Sequence, residues 1–325
     1  MQKYKDRSIY LLPGGIAIGR KENNFQFKSG FIQKFSPEDQ SGDHISLNAY
    51  HYTSPEAFLS IIQNHSIRFT DIRYMNDRAE GIYFVKLLLD FVEKNRGNYP
   101  HFEEVINQLL KGNDLEKIRT LSTTEIQYEE IPRLPYHPNR VFVFCTCTEA
   151  DSLNMWNYYT NTGVYQGYNI GFRLFDLLRS FDTPSSKVLD PILVYYGRVL
   201  YEEKKQFEEI TRLAEEIEIK ASKSPNVLKR EQIHLRMYID SKGAFFKHPK
   251  FKSEQEFRII VEMPEAKIPR QKDDPKKYVG VHNQELWEGF CTKHGLIVPF
   301  LNVSFSKEAI QRITIAPMVE YEIAK

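Results

Sequence analysis

From Leu47 onward the apolar positions of the chain fall into regular patterns; before it, charge, glycine and short aromatic pieces alternate without a period. LNAYHYT (Leu47 to Thr53) reads as a short strand. Ser54 is a good helix N-cap with Pro55 at the first helical position, and Ala57, Phe58, Ile61 and Ile62 follow at helical spacing. SIRFTD is a second strand. Asn76–Asp77 marks a turn or cap ahead of a helix whose apolar face is Ile82, Phe84, Val85, Leu88 and Phe91. Tyr99 to about Glu130 looks helical and polar. RVFVFCTCT (Arg140 to Thr148) is a nearly continuous, β-rich apolar run, which predicts a central strand. A short helix follows, capped by Asp151 or Ser152 and ending at Gly163.

GYNIGF and DPILVYYGRVLY predict further strands, and the next two segments are helical, the first strongly charged. SEQEFRIIVEM is a strand, HGLIVPFLNVSF one or two more, and AIQRITIAP the closing strand. About eight strands with helices between them, in no strict βαβ rhythm, indicate an α+β fold. The expected organisation is an N-terminal arm or extension over 1–45 and a single domain over 46–320, with helical insertions near 99–130 and 201–248. LLPGGIAIG (Leu11 to Gly19) is read as a hairpin turn or arm, because no G-K-[ST] follows its glycines.

Composition narrows the class. A hydrophobic fraction of 41% in 325 residues supports a substantial core, and 44 basic against 43 acidic residues leave no global field for a nucleic acid or membrane. No window approaches about eighteen consecutive apolar residues, and the N-terminus lacks an apolar signal core. A cytoplasmic protein with no membrane partner is therefore expected. Three cysteines fit a reducing compartment, and Cys145 and Cys147, alternating on one strand, face the same side.

Three places put polar chemistry at a strand end. His51–Tyr52–Thr53 precedes a capped helix whose first N–H groups suit an anionic or ribose-bearing ligand; a histidine satisfied within the core is the alternative. Trp156, Tyr158 and Tyr159 follow the cysteine strand and offer a wall on which a flat ring can stack, or else a core-facing aromatic pair. Glu254 and Glu256, two apart where a strand begins, are expected on one face. Two carboxylates there suit cleavage at an anomeric carbon, where a fixed carboxylate stabilises a sugar cation; a solvated strand edge is the alternative. A metal-dependent nuclease built on His51, Asp71, Asp77 and Glu80 is a weaker possibility, since those residues show no recognised ligand spacing and no metal is expected.

Taken together, YHYTSPEAFLSII, FCTCT and EQEFRII resemble the motif order of the ADP-ribosyltransferase superfamily: His on a first strand, an S-T-S-like run on a middle strand, E-x-E on a later one. Leu47 to Pro317 also resembles a widespread bacterial family of unknown function. Its H-Y-T, N-D, S-x-x-M-W-x-Y-Y, G-x-x-I-G-F and F-K-x-E-x-E-x-R hallmarks stand here at His51–Thr53, Asn76–Asp77, Ser152–Tyr159, Gly167–Phe172 and Phe251–Arg258. The first resemblance implies a mixed, mostly antiparallel split sheet with flanking and inserted helices, and NAD as co-substrate. His51 would then bind a ribose hydroxyl, with Tyr52 beside it, and Thr53 would hold the nicotinamide end. Trp156, Tyr158 or Tyr159 would stack on the ring, and Arg68 or Arg73 would pair with the pyrophosphate. Glu256 would stabilise the cation left by nicotinamide, and Glu254 would orient or deprotonate the acceptor. The implied acceptor is a protein, DNA or RNA, and the implied setting a toxin or anti-phage effector with an antitoxin or regulatory partner. Hydrolysis of NAD in the same cleft, or a non-catalytic nucleotide- or nucleic-acid-binding module, are the competing readings. Basic segments at Lys204–Lys205, Lys220–Lys229 and Lys242–Lys252 could follow a nucleic-acid backbone or be solvated helix faces.

Overall fold

The structure, a computed structural model, describes residues 8–12, 15–19, 32–35, 48–75, 79–115, 118, 139–160, 166–178, 181, 192–224, 227–268, 286–293 and 295–317. In chain order the strands are β1 (Ser8–Leu12), β2 (Gly15–Gly19), β3 (Ile32–Lys34), β4 (Asn48–Thr53), β5 (Ser66–Asp71), β6 (Asn139–Cys147), β7 (Tyr168–Arg173), β8 (Leu193–Arg198), β9 (Glu256–Pro264), β10 (Leu286–Lys293), β11 (Leu296–Ser304) and β12 (Ile310–Ile315). The helices are α1 (Pro55–Asn64), α2 (Ala79–Lys94), α3 (Pro100–Leu109), α4 (Leu153–Tyr159), α5 (Leu174–Leu178), α6 (Glu203–Lys223) and α7 (Leu228–Asp240). The fold is α+β. The chain forms two compact units, one of Met1–Tyr74, Asn139–Arg198 and Ser253–Lys325, the other of Met75–Pro138 and Val199–Lys252.

The first unit holds all the strands. β1 and β2 form an antiparallel pair, with Leu12 opposite Gly15. The other ten strands make one sheet in which only β3 and β8 run parallel. Its organising strand is β6, the apolar run that reads as central in the sequence. One edge of β6 pairs with β9 along its whole length, from Asn139–Pro264 to Cys147–Glu256. The other edge is divided: Phe142 and Val143 pair with Asp71 and Thr70 of β5, and Cys147 pairs with Tyr50 of β4. β5 carries β11 and β10 outward, whereas β4 carries β7 and β12. The sheet therefore splits between β4 and β5, and α1 connects the end of one to the start of the other.

α1 forms where its signals place it. The Ser54 hydroxyl accepts a hydrogen bond from the Ala57 N–H at 3.3 Å, Pro55 opens the helix, and His65 in the left-handed region (φ 47°) ends it. Its Ile61, Phe58 and Ile62 pack on a core built from one sheet face. Ile67, Phe69, Phe142, Phe144, Ile170, Phe172, Phe257, Ile259, Val261, Leu301 and Val303 alternate into that core from five strands. Each fully buried side chain of this size contributes roughly 1.5–3 kcal/mol, so the alternation fixes the register on this face. On the opposite face a smaller cluster joins Tyr52, Cys147, Met155, Trp156 and Ala316.

The second unit is helical. α2 buries Ile82, Phe84, Val85, Leu88 and Phe91, the face read from the sequence, and Phe84 lies 4.4 Å from the Phe246 ring. α3 and α6–α7, which fall in the two segments read as insertions, belong to this unit. A buried Gln206 on α6 donates to the Leu200 and Lys247 carbonyls and accepts from the Tyr83 hydroxyl at 2.8 Å, tying α2, α6 and the 247 segment together through a buried polar group that is itself satisfied. Phe245 and Phe246 are fully buried core residues, whereas Phe251, the third aromatic interleaved with the Lys242–Lys252 segment, is half-buried beneath Lys247. The Asn76–Asp77 turn, most of the 1–45 arm and residues 119–138 lie outside the described residues.

Candidate functional site

Where the sheet splits, the β6 edge between Val143 and Cys147 has no strand partner among the described residues. The Cys145 carbonyl on this edge accepts a hydrogen bond from the His51 imidazole, Nδ1 to O 3.2 Å, and the His51 ring lies 4.8 Å from that of Phe144. With the proton held on Nδ1 by a carbonyl, Nε2 of the neutral ring is an acceptor. Burial pulls the His51 pKa down to about 4, the Cys145 hydrogen bond offsetting only part of this. His51 is thus neutral near pH 7 and plugs the split, satisfying one backbone group and offering one acceptor.

A cavity of about 320 Å³ opens at this point. His51, Phe144 and the α1 residues Ala57, Ser60, Ile61 and Asn64 line one side. Ser66, Ile67, Arg68, Phe300, Asn302 and Trp287 line the other. Ile67 faces the main core while Arg68 faces the opposite side of β5, so the lining draws on both faces of that strand at the gap. Arg68 pairs with Asn302 across β5–β11, and Asn302 with Trp287 across β11–β10. The Arg68 guanidinium lies 4.7 Å above the Phe300 ring and meets no carboxylate among the described residues. Trp287, Phe300 and Asn302 carry no motif and were not legible as site residues; the available signal was an asparagine inside the apolar run LIVPFLNVSF.

Of the ten candidate residues from the sequence, only His51 and Arg68 line this cavity. Tyr52 is buried, donates to the Glu149 carbonyl at 2.9 Å and accepts from the Ser152 N–H at 2.8 Å; burial pushes its hydroxyl well above the usual phenol range. Thr53 is buried at the end of β4. Trp156 is 1% exposed, packs edge-on against Tyr52 at 4.7 Å and donates its indole N–H to Asp151. It is a core residue, while Tyr158 and Tyr159 on the same helix are exposed. Arg73 is tied to Asp71 by two hydrogen bonds of 3.0 and 2.7 Å, and the same buried carboxylate accepts two more from Arg140, which also pairs with Glu288.

The carboxylates depart furthest from expectation. Glu256 opens β9, but Glu254 ends a 3₁₀ turn (Pro249–Glu254), and Gln255 between them has φ 45°. Strand alternation therefore does not reach Glu254, and the E-x-E pair does not form one strand face. Glu256 is 2% exposed and accepts from Arg258, itself fully buried, at 2.7 Å. It sits opposite Cys147, on the face of Tyr50, Tyr52 and Trp156, whereas His51 faces Phe144 and the main core. The structure does not bring His51, an aromatic of 156–159 and Glu256 into one cleft. Among the described residues no group of three or more His, Cys, Asp or Glu could hold a metal, and no helix is long and apolar enough to cross a membrane.

Residues 155–259 match a family model described as "Protein of unknown function (DUF2971)". The match runs from α4 to β9 and supports the resemblance to a family of unknown function. No curated protein and no solved structure matches the chain.

Proposed function

We propose that the protein binds a nucleotide, with NAD the leading candidate, in the cavity at the split of the sheet. The observation that carries this reading is the meeting of a guanidinium that faces no carboxylate among the described residues, Arg68, with a neutral histidine acceptor and three aromatic rings around about 320 Å³ of space. That volume lies near the lower end of the usual ligand-pocket range of about 300–1,000 Å³ and suits a mononucleotide or one half of a dinucleotide. Arg68 supplies the charge for a phosphate, His51 the acceptor for a sugar or base N–H or O–H, and Trp287 an aromatic surface. In this reading Glu256 is a structural group, neutralised by Arg258 on the other face of the sheet.

A second reading, ADP-ribosyl transfer to a protein or nucleic acid, is favoured by one observation: the antiparallel sheet splits beside the histidine strand, as the superfamily resemblance implies. A single pair of experiments separates the two. Calorimetric titration of NAD and AMP is expected to give binding that Arg68→Ala weakens tenfold or more, while Glu256→Gln leaves it unchanged. Incubation with labelled NAD and protein, RNA or DNA acceptors is expected to give no Glu256-dependent labelling. Label that vanishes in Glu256→Gln, with NAD affinity retained, supports transfer instead; no nucleotide binding at all overturns both readings.

A further inference from the structure

One polar group in the split cavity is left over. Asn302 is 5% exposed in the middle of β11, lines the cavity, and its side-chain Nδ2 meets no hydrogen-bond acceptor among the described residues. A buried amide donor without an acceptor is costly, and native interiors seldom keep one without a reason. Its neighbours are fixed by register. Trp287 on β10 and Arg68 on β5 are its direct cross-strand partners, so indole, amide and guanidinium stand in one row across three strands. Phe300, diagonal to this row, supports the guanidinium from below.

The row orders three different recognition chemistries over two inter-strand spacings of about 5 Å each. An aromatic surface takes a flat ring, a single donor takes a ring nitrogen or carbonyl, and a cation takes a phosphate. We infer that Asn302 is a specificity-determining residue that reads the heteroaromatic ring of the bound nucleotide, by donating from Nδ2 to an acceptor on the ring edge. The ring lies against Trp287, and a phosphate of the same ligand reaches Arg68. This inference rests on the nucleotide reading above and goes further, since it assigns the ring to the β10–β11 side of the cavity.

The test compares ligands with and without a ring. AMP and ribose 5-phosphate are titrated calorimetrically into wild type, Asn302→Leu and Arg68→Ala. Asn302→Leu keeps side-chain size and removes the orphan donor, so the ligand-free variant is expected to unfold at the wild-type temperature or above it. Its affinity for AMP is expected to fall tenfold or more, while ribose 5-phosphate distinguishes it from wild type by less than twofold or binds neither protein. Arg68→Ala is expected to weaken both ligands. Equal AMP affinity in wild type and Asn302→Leu overturns the inference and leaves the nucleotide reading standing. So does a loss of AMP and ribose 5-phosphate in parallel. Absence of AMP and NAD binding to wild type overturns the reading and the inference with it.

Discussion

Replacing Glu256 with Gln separates a structural carboxylate from a catalytic one. Glu256 and Arg258 are 2% and 0% exposed, and the guanidinium donates from Nε and Nη2 to the same carboxylate oxygen at 2.7 Å. Two residues apart on β9, both side chains leave the strand on one face, so neither can reach solvent without breaking its pairing with β6. Gln still accepts a hydrogen bond, but it removes the carboxylate charge that faces the buried guanidinium at 2.7 Å. Removing one partner of a buried pair costs about 3–5 kcal/mol, whereas replacing both with apolar residues of similar volume is often neutral or stabilising. Glu256→Gln is therefore expected to lose stability of that order, and Glu256→Leu/Arg258→Met to recover most of it. Urea unfolding followed by tryptophan fluorescence reads this directly, because both tryptophans, Trp156 and Trp287, belong to the sheet unit. A Glu256→Gln midpoint equal to wild type would refute the structural assignment. If the same variant also lost an NAD-cleaving activity, Glu256 would be the catalytic group that the sequence motif implies.

Three other outcomes follow from local geometry. His51 has its pKa lowered by burial from 6.5 to about 4, so folding favours the neutral ring. Its contribution is complete above the unfolded value and is lost as pH falls from about 6.5 towards 4, at most about 3 kcal/mol. His51→Gln should flatten the stability curve in that window, and parallel curves for the two proteins would contradict the assignment. Gly197→Ala should destabilise the sheet by about 1–3 kcal/mol, measured by urea unfolding. A Cβ there would lie 2.0 Å from the carbonyl oxygen of Phe35, whose N–H also donates to the Tyr196 carbonyl of β8. An unchanged midpoint would count against that close approach. Burial pushes the Cys147 thiol up to about 11, while Cys145 and Cys291 are partly exposed. Iodoacetamide at pH 8 should therefore modify Cys147 slowest of the three, as read by mass spectrometry, and comparable rates would show the cluster around it to be open.

Much of the architecture is legible in local patterns. The run RVFVFCTCT becomes the strand with partners on both edges, and Ser54–Pro55 starts α1 as capping chemistry dictates. β10 escaped notice because LWEGFCTK mixes a charge and a glycine into its alternation, and its pairing is supplied by the apolar β11. The site was harder to read, for a physical reason. Its defining row, Trp287–Asn302–Arg68, is created by register between β5 and the β10–β11 pair more than two hundred residues later in sequence, which no local period encodes. His51 is marked by its motif, and Arg68 only by the superfamily resemblance, which calls for a cation at the pyrophosphate. Glu256 opens its strand as the alternation predicts, but Glu254, two residues before that strand begins, falls outside the alternation because the left-handed backbone of Gln255 reorients it. Trp156 followed the plainer of its two readings, an aromatic buried beneath a strand.

The most direct measurement is a crystal structure of the protein grown with NAD or AMP. The expected result is a ligand in the split of the sheet, its phosphate on Arg68 and its ring against Trp287 with an acceptor on Asn302. A ligand seated against Glu256 and Trp156 on the other face, with the split cavity unfilled, would contradict the assignment of this cavity as the nucleotide site.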